Sequence, residues 1–265
     1  MVTALLMLAT LSLGAVIRAE GLERYVAPAY SAASIVNSAT WEAGVFAPNS
    51  LATIFGSNLA YSTASVLPSH VAAGAMPNTL AGVRVYVDGI TSSLYYVSPN
   101  QINFVIPSRL LPGESDVWIA REGTSGPTVR IKLSEAVPAV FRNGADWILA
   151  TRVSGEVISR SSPARPGEWI VLYATGLGRT DPDVVDGRLV NSPAQIRKLD
   201  ELQVLVDWKA LPHGRISYAG VAPGFAGLYQ INLQLPDELG RDPEVRILIG
   251  DRGVSAALRL ATGSE

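Results

Sequence analysis

Cysteine is absent from this sequence. That excludes thiolate nucleophiles, cysteine-ligated metals and disulfide staples. A chain of this kind working outside the cell must hold its fold by core packing alone. Histidine is nearly as scarce, with His70 and His213 the only two. Both lie in loop-like stretches rich in Pro, Ser or Gly, and neither adjoins a nucleophile-elbow pattern, so a Ser-His-Asp hydrolase or a catalytic zinc site lacks its parts. Lysine is limited to Lys132, Lys198 and Lys209. With 21 basic against 23 acidic residues, the formal net charge is −2. No basic excess exists to hold phosphates, which argues against a nucleic-acid partner. Long helical periodicity is also missing beyond the N-terminal apolar run.

What is present is a chain of 265 residues, 48% hydrophobic and only 17% charged, long enough for one large domain or two ordinary ones. Its 24 glycines and 17 prolines suit many turns between short strands. The uncharged run Ala4 to Ile17 is too short for a comfortable membrane span and suits the hydrophobic part of a signal peptide. Arg18-Ala19-Glu20 follows, placing cleavage after Ala19 and giving a signal peptide over 1–19. No Lys or Arg precedes the run and Ile17 is not a small residue, so a buried first helix or an uncleaved anchor is the competing reading. The expectation is export, to the cell surface or the medium, with no transmembrane span after cleavage.

One phrase occurs twice: "QINFVIP" at Gln101 to Pro107 and "QINLQLP" at Gln230 to Pro236. Other blocks recur in the same order. "LATIFGSNLA" (Leu51 to Ala60) matches "WIVLYATGLG" (Trp169 to Gly178), and "GVRVYVDG" (Gly82 to Gly89) matches "ELQVLVDW" (Glu201 to Trp208). "LYYVSP" from Leu94 loosely matches "ISYAGVAP" from Ile216, and "DVWIAREG" from Asp116 resembles "VRILIGDRG" from Val245. Blocks recurring in order at similar offsets mark tandem duplicated domains. Val83, Val85 and Val87, like Leu202, Val204 and Val206, keep the two-residue period of a half-buried strand. Asp88-Gly89 is a tight-turn signal, so Val83 to Tyr96 reads as a hairpin. Its counterpart Asp207-Trp208-Lys209-Ala210 reads as a longer, less typical connection. A second hairpin is expected around Ser154-Gly155, and a short helix or irregular turn over Pro193 to Leu202. Each copy then holds about six or seven strands, the pattern of an immunoglobulin-like sandwich. The expected fold is all-β, two tandem immunoglobulin-like β-sandwiches over 26–137 and 138–262, with Pro138 in a short, partly apolar linker that keeps the two in contact.

The blocks "IVNSAT", "APNSLATIFGSNLA", "LAGVRVYVDG", "YYVSPNQINFVIP", "VPAVFRNGADWILA", "RPGEWIVLYATGLG" and "AGVAPGFAGLYQINLQLP" together resemble the acidobacterial (Solibacter-type) uncharacterised C-terminal domain family, over about Ile35 to Leu260. The first half also looks like the TIG class of immunoglobulin-like domains. The resemblance implies an exported β-rich module, usually at the end of a longer protein, and implies no reaction. Two departures from the family pattern are expected: a chain standing nearly alone, without a large N-terminal partner domain, and the acidic loop after "TGLG".

That loop is "TDPDVVDG", where Asp181, Asp183 and Asp186 offer hard oxygen ligands for calcium and Gly187 permits a sharp turn. The spacing is not that of an EF-hand, and a plain acidic turn is the alternative. No other cofactor is implied. Trp208, Tyr95, Tyr96, Tyr218 and Tyr229, with Phe225 nearby, lie around the repeated hairpin and the repeated phrase, and flat rings stack on sugar faces. Filling the core or the seam between copies is their other use. In the phrase itself, Ile102, Phe104 and Ile106 share one face, as do Ile231, Leu233 and Leu235, while Gln and Asn occupy the other. Amides brace backbone but are neither nucleophiles nor bases. Acids such as Asp88 and Asp242 are scattered beside turn residues, where solvated turn acids are common, and the sequence brings no two of them together for glycoside hydrolysis. The function expected is a non-catalytic exported interaction module for a glycan or an extracellular protein. Its alternatives are a structural or export-related module without a ligand, and a hydrolase with a site in the cleft between the copies.

Overall fold

The computed structural model describes residues 26–251 and 255–263. The expected signal peptide over 1–19 lies outside the described residues. Among the described residues the regular structure is strand and short 3-10 turns, and no helix is long and apolar enough to cross a membrane.

The chain forms two β-sandwiches in tandem. In the first, a five-stranded sheet runs in the order Ile35–Asn37, Leu51–Phe55, Gln101–Val105, Leu94–Val97, Ala64–Ser65. It faces a sheet ordered Val45–Phe46, Val129–Leu133, Gly113–Arg121, Val83–Val87, Ile90–Thr91. The second sandwich repeats the plan. Ala139–Val140, Trp169–Thr175, Tyr229–Gln234, Ile216–Val221, Gln195–Ile196 and Thr180–Asp181 make one sheet, and Lys209–Ala210, Leu202–Val206, Glu244–Ile249 and Leu258–Arg259 the other. Both copies of the repeated phrase are thus central strands of equivalent sheets, buried on one face as their alternation requires. Ile102, Phe104 and Ile106 enter one core, and Ile231, Leu233 and Leu235 the other.

The duplication extends to irregularities. Asn103 pairs with Tyr96 and Asn232 with Tyr218, and the register slips by a bulge just before each tyrosine, after Leu94 and after Ile216. The turn after each valine-rich strand is shared too. Asp88 and Asp207 both adopt left-handed φ, at 48° and 47°. Asp88 Oδ1 accepts from Asp116 N at 2.8 Å, and Asp207 Oδ1 from Glu244 N at 2.9 Å.

This corrects the expectation of a longer connection at Asp207 to Ala210. Val206 pairs with Lys209 as Val87 pairs with Ile90, so Asp207-Trp208 is the same tight turn as Asp88-Gly89. Trp208 stands at the glycine position with φ 65°, where Gly89 has 76°. A primed turn needs positive φ at both central residues whatever the side chain. The first hairpin is also shorter than expected. Its second arm is Ile90–Thr91 only, after which buried Ser92 and Ser93 carry the chain to the opposite sheet. Around Ser154-Gly155 the chain does reverse, with Arg152 N bonded to Glu156 O at 2.8 Å. Residues Pro193 to Leu202 hold the Gln195–Ile196 strand and turns rather than a helix.

The two sandwiches meet at one end of the outer face of the first five-stranded sheet. Leu51 and Val105, at the end of that face, receive Ala226 and Gly227 from the loop before Tyr229. Gly227 has φ 76°, which other residues rarely adopt, and a Cβ there would crowd Val105 Cγ1 at 3.1 Å, so the approach favours glycine. Tyr95 Oη donates to Ala226 O at 2.8 Å and accepts from Ala226 N at 3.0 Å. Leu51 N donates to Thr175 Oγ1, which donates onward to Gly227 O. The sandwiches touch, as the short linker suggested.

Candidate functional site

The amide faces of the repeated phrase are the outward faces of their sheets. In the first sandwich Phe55 is opposite Gln101 and Thr53 opposite Asn103. Asn103 Oδ1 accepts from Gln101 Nε2 at 2.9 Å and from Thr53 Oγ1 at 3.1 Å, and Thr53 shares a further bond with Ser38. Both bonds fall on the oxygen, which turns the amide NH2 of Asn103 away from the ladder. At the end of this strip the Phe55 ring lies 5.9 Å from the Trp41 ring, tilted by 34°. Trp41 is 56% exposed and sits at φ 64°. Left-handed backbone disfavours a residue with a Cβ, so this turn holds an indole in solvent at a conformational cost.

The second sandwich carries the equivalent strip. Tyr173 is opposite Gln230, Val171 opposite Asn232 and Trp169 opposite Gln234. Gln230 Nε2 donates to Asn232 Oδ1 at 3.1 Å, the counterpart of the Gln101–Asn103 bond. Gln234 Nε2 donates to Gly167 O. Trp169 is 40% exposed. An amide can make about four hydrogen bonds, so each of these side chains keeps capacity for a ligand.

The aromatic residues expected to form one platform do not come together. Tyr229 is fully buried: its Oη donates to Gly178 O at 2.6 Å and accepts from Asn49 Nδ2 at 3.1 Å. Burial pushes its hydroxyl pKa up, against the lowering effect of the Asn49 bond. Tyr95 is held in the seam, where burial likewise raises its pKa. Tyr218 Oη is tied to Val221 O and to the Ala194 backbone, and burial raises its pKa. Phe225 is exposed on the seam loop. Tyr96 lies beside Asn103 in the first strip. Trp208 is 67% exposed, with the Arg246 guanidinium 4.0 Å from its ring centroid. It belongs to the opposite sheet from the Asn232 strip.

The acidic loop is also resolved into separate roles. Asp183 accepts from Arg179 and from Arg197, the latter at 2.8 Å. Asp186 accepts from Ser108 N and Oγ and pairs with Arg109, across the seam. Asp181 pairs in register with Gln195 and is exposed. The three carboxylates do not converge, and no group of three His, Cys, Asp or Glu suited to a metal occurs among the described residues. The calcium expectation is therefore corrected: arginines and a serine take the oxygens that calcium would need.

His70 Nδ1 accepts from Leu67 N in an exposed turn, and His213 lies in another. Asp242 Oδ1 accepts from Thr262 N, a turn brace like that of Asp88. Phe55 and Tyr173 were readable from alternation, since Ile54 and Leu172 point inward. Trp41 carried no periodic signal, because it sits in a turn.

No family model matches this sequence, and no curated protein does either. Among solved structures, SGBP-B of the Bacteroides ovatus mixed-linkage glucan utilization locus, in complex with a mixed-linkage heptasaccharide, is 12% identical with a TM-score of 0.34, over 83% of this chain and 44% of that one. The surface glycan-binding protein PbSGBP-B from Prevotella bryantii is 10% identical, TM-score 0.28, over 88% and 42%. Tandem Ig repeats of Dlar are 10% identical, TM-score 0.22, over 84% and 94%. The chain spans less than half the length of the first two. Likenesses at this level carry no inference about a ligand.

Proposed function

We propose that the protein is a non-catalytic, exported binding module that takes an uncharged polysaccharide on its two amide–aromatic strips. The observation that carries this reading is the pairing of outward amide ladders with rings on the same face in both copies: Gln101 and Asn103 with exposed Phe55 and Trp41, and Gln230, Asn232 and Gln234 with half-buried Tyr173 and exposed Trp169. Aromatic faces cover the apolar C–H faces of a sugar ring, and amides, which donate and accept at once, match its hydroxyls. Neither group performs acid–base or nucleophilic chemistry at neutral pH, so the strips bind and do not cleave. The resemblance to the acidobacterial C-terminal domain family, with a division into units over 26–137 and 138–262, belongs to the same proposal, as does placement at the cell surface or in the medium.

The test is a panel of neutral soluble polysaccharides in affinity electrophoresis, followed by calorimetry on any that retard the full chain. Trp41→Ala and Trp169→Ala should each weaken binding roughly tenfold, about 1.4 kcal/mol. Retardation by none of the panel, or binding indifferent to both substitutions, would sink the reading. The hydrogen-bonded seam favours a second reading, a rigid module that holds a neighbouring protein at fixed distance; survival of a partner complex after loss of both tryptophans would support it.

A further inference from the structure

Where the two sandwiches meet there is a cavity of about 270 Å³, apart from both strips. Leu110 and Leu111 from the loop after the first repeated phrase, and Leu177 from the "TGLG" turn of the second sandwich, give it an apolar wall. Leu111 is 67% exposed although its neighbour Leu110 is buried. Pro107 and Pro112 bracket this loop, which limits its freedom to fold that leucine away.

The remaining wall is charged, and unevenly. Arg179, Arg197 and Lys198 line it against the single carboxylate of Glu135. Lys198 is engaged by Glu201 at 3.0 Å and by Glu135 at 3.4 Å. Arg179 and Arg197 share one partner, Asp183, and Arg197 Nε is further fixed by Thr180 O at 3.1 Å. Two guanidiniums on one carboxylate leave the arginine end locally positive, while Lys198 with its two carboxylates balances the charge at the other end. Each guanidinium has five N–H donors, so both keep unused donors after binding Asp183. Asp183 is thus a positioning residue that sets two forked donors at the polar end of an apolar cavity.

We propose that this interdomain cavity binds a small amphiphilic carboxylate, its chain against Leu110, Leu111 and Leu177 and its carboxylate on Arg179 and Arg197. A carboxylate meets the locally positive arginine end and accepts from the guanidinium donors left over beyond Asp183 and Thr180 O. An apolar chain removes Leu111 from water. Domain interfaces are common places for such sites.

The experiment titrates the full chain with octanoate, with octanol and with octylammonium, by calorimetry and thermal shift. Octanoate is expected to bind and to raise Tm, octanol to bind at least tenfold more weakly, and octylammonium to bind least. Leu111→Ser and Arg197→Gln should each reduce octanoate affinity at least tenfold while leaving polysaccharide binding at the strips unchanged. Leu111 is largely in solvent, so its variant keeps the test valid if Arg197→Gln disturbs folding. Absence of octanoate binding, equal binding of octylammonium, or full retention of affinity in Leu111→Ser overturns the proposal.

Discussion

Asn49 of the first sandwich donates its side-chain amide to the Tyr229 hydroxyl of the second at 3.1 Å, in a place closed to solvent. The same hydroxyl donates to Gly178 O at 2.6 Å, so one phenol joins the two cores. Tyr229→Phe keeps the ring and strands both partners. The expected cost is about 1–3 kcal/mol, the penalty for leaving buried polar groups unpaired. Urea denaturation measures it, and a midpoint equal to wild type would show that the seam does not depend on this bond.

Gly227 closes the same seam from the loop above it. Gly227→Val adds a Cβ 3.1 Å from Val105 Cγ1 and 3.2 Å from Leu51 Cγ, at a φ of 76° that a β-branched residue resists. The variant should lose about 2–4 kcal/mol or open the seam, raising the radius of gyration in small-angle scattering. An unchanged profile with unchanged stability would contradict the close approach.

At the Asp207-Trp208 turn, backbone strain and the Arg246 stack act in opposite directions. Trp208→Gly relieves a left-handed φ worth about 1–2 kcal/mol and gives up a cation–π contact worth about 0.5–1 kcal/mol. Its stability should therefore stay within about 1 kcal/mol of wild type. Trp208→Val loses the contact and keeps the strain, so it should be the less stable of the two by about 1–2 kcal/mol. Thermal melts of the pair decide the point, and equal melts would show that the turn does not impose this backbone.

Asp186 gives the seam a pH dependence. Burial pushes its pKa up, but the bonds from Ser108 and Arg109 together outweigh burial and hold it below the ordinary carboxylate value. A depressed pKa contributes stability that is complete above the unfolded value, about 4. That contribution fades as pH falls through the lower folded value. Asp186→Asn should therefore be less stable than wild type at pH 7, with the gap narrowing below about pH 4. Denaturant midpoints at pH 7 and pH 3 test this; a gap constant across that range would remove the linkage.

Much of this architecture was legible because its signals are local. Alternation in "QINFVIP" and "GVRVYVDG" specifies which face is buried, and repetition of those blocks specifies two similar units. The Trp208 turn was misread because tryptophan hides a glycine-type conformation. Only the ladder pairs Val206↔Lys209 and Leu205↔Ala210 reveal it. The acidic loop was misread for a different reason. Spacing shows that Asp183 and Asp186 are near in sequence, but not that Arg197 and Ser108, distant in the chain, bond to them.

The sequence by itself determined the strand period, the duplication, the absence of thiol chemistry and the polarity of each strand face, since these follow from residue type and order. Tertiary structure alone decided which rings are open and which are spent. Tyr229 and Trp169 lie in paired strands of one sheet. The first is sealed inside and the second reaches solvent, because the pleat turns Tyr229 into the core and leaves Trp169 on the outer face, away from the seam. The same packing placed Leu111 and Arg197, far apart in the chain, around one cavity. No local pattern encodes such a meeting, because it depends on how two separate cores settle against each other.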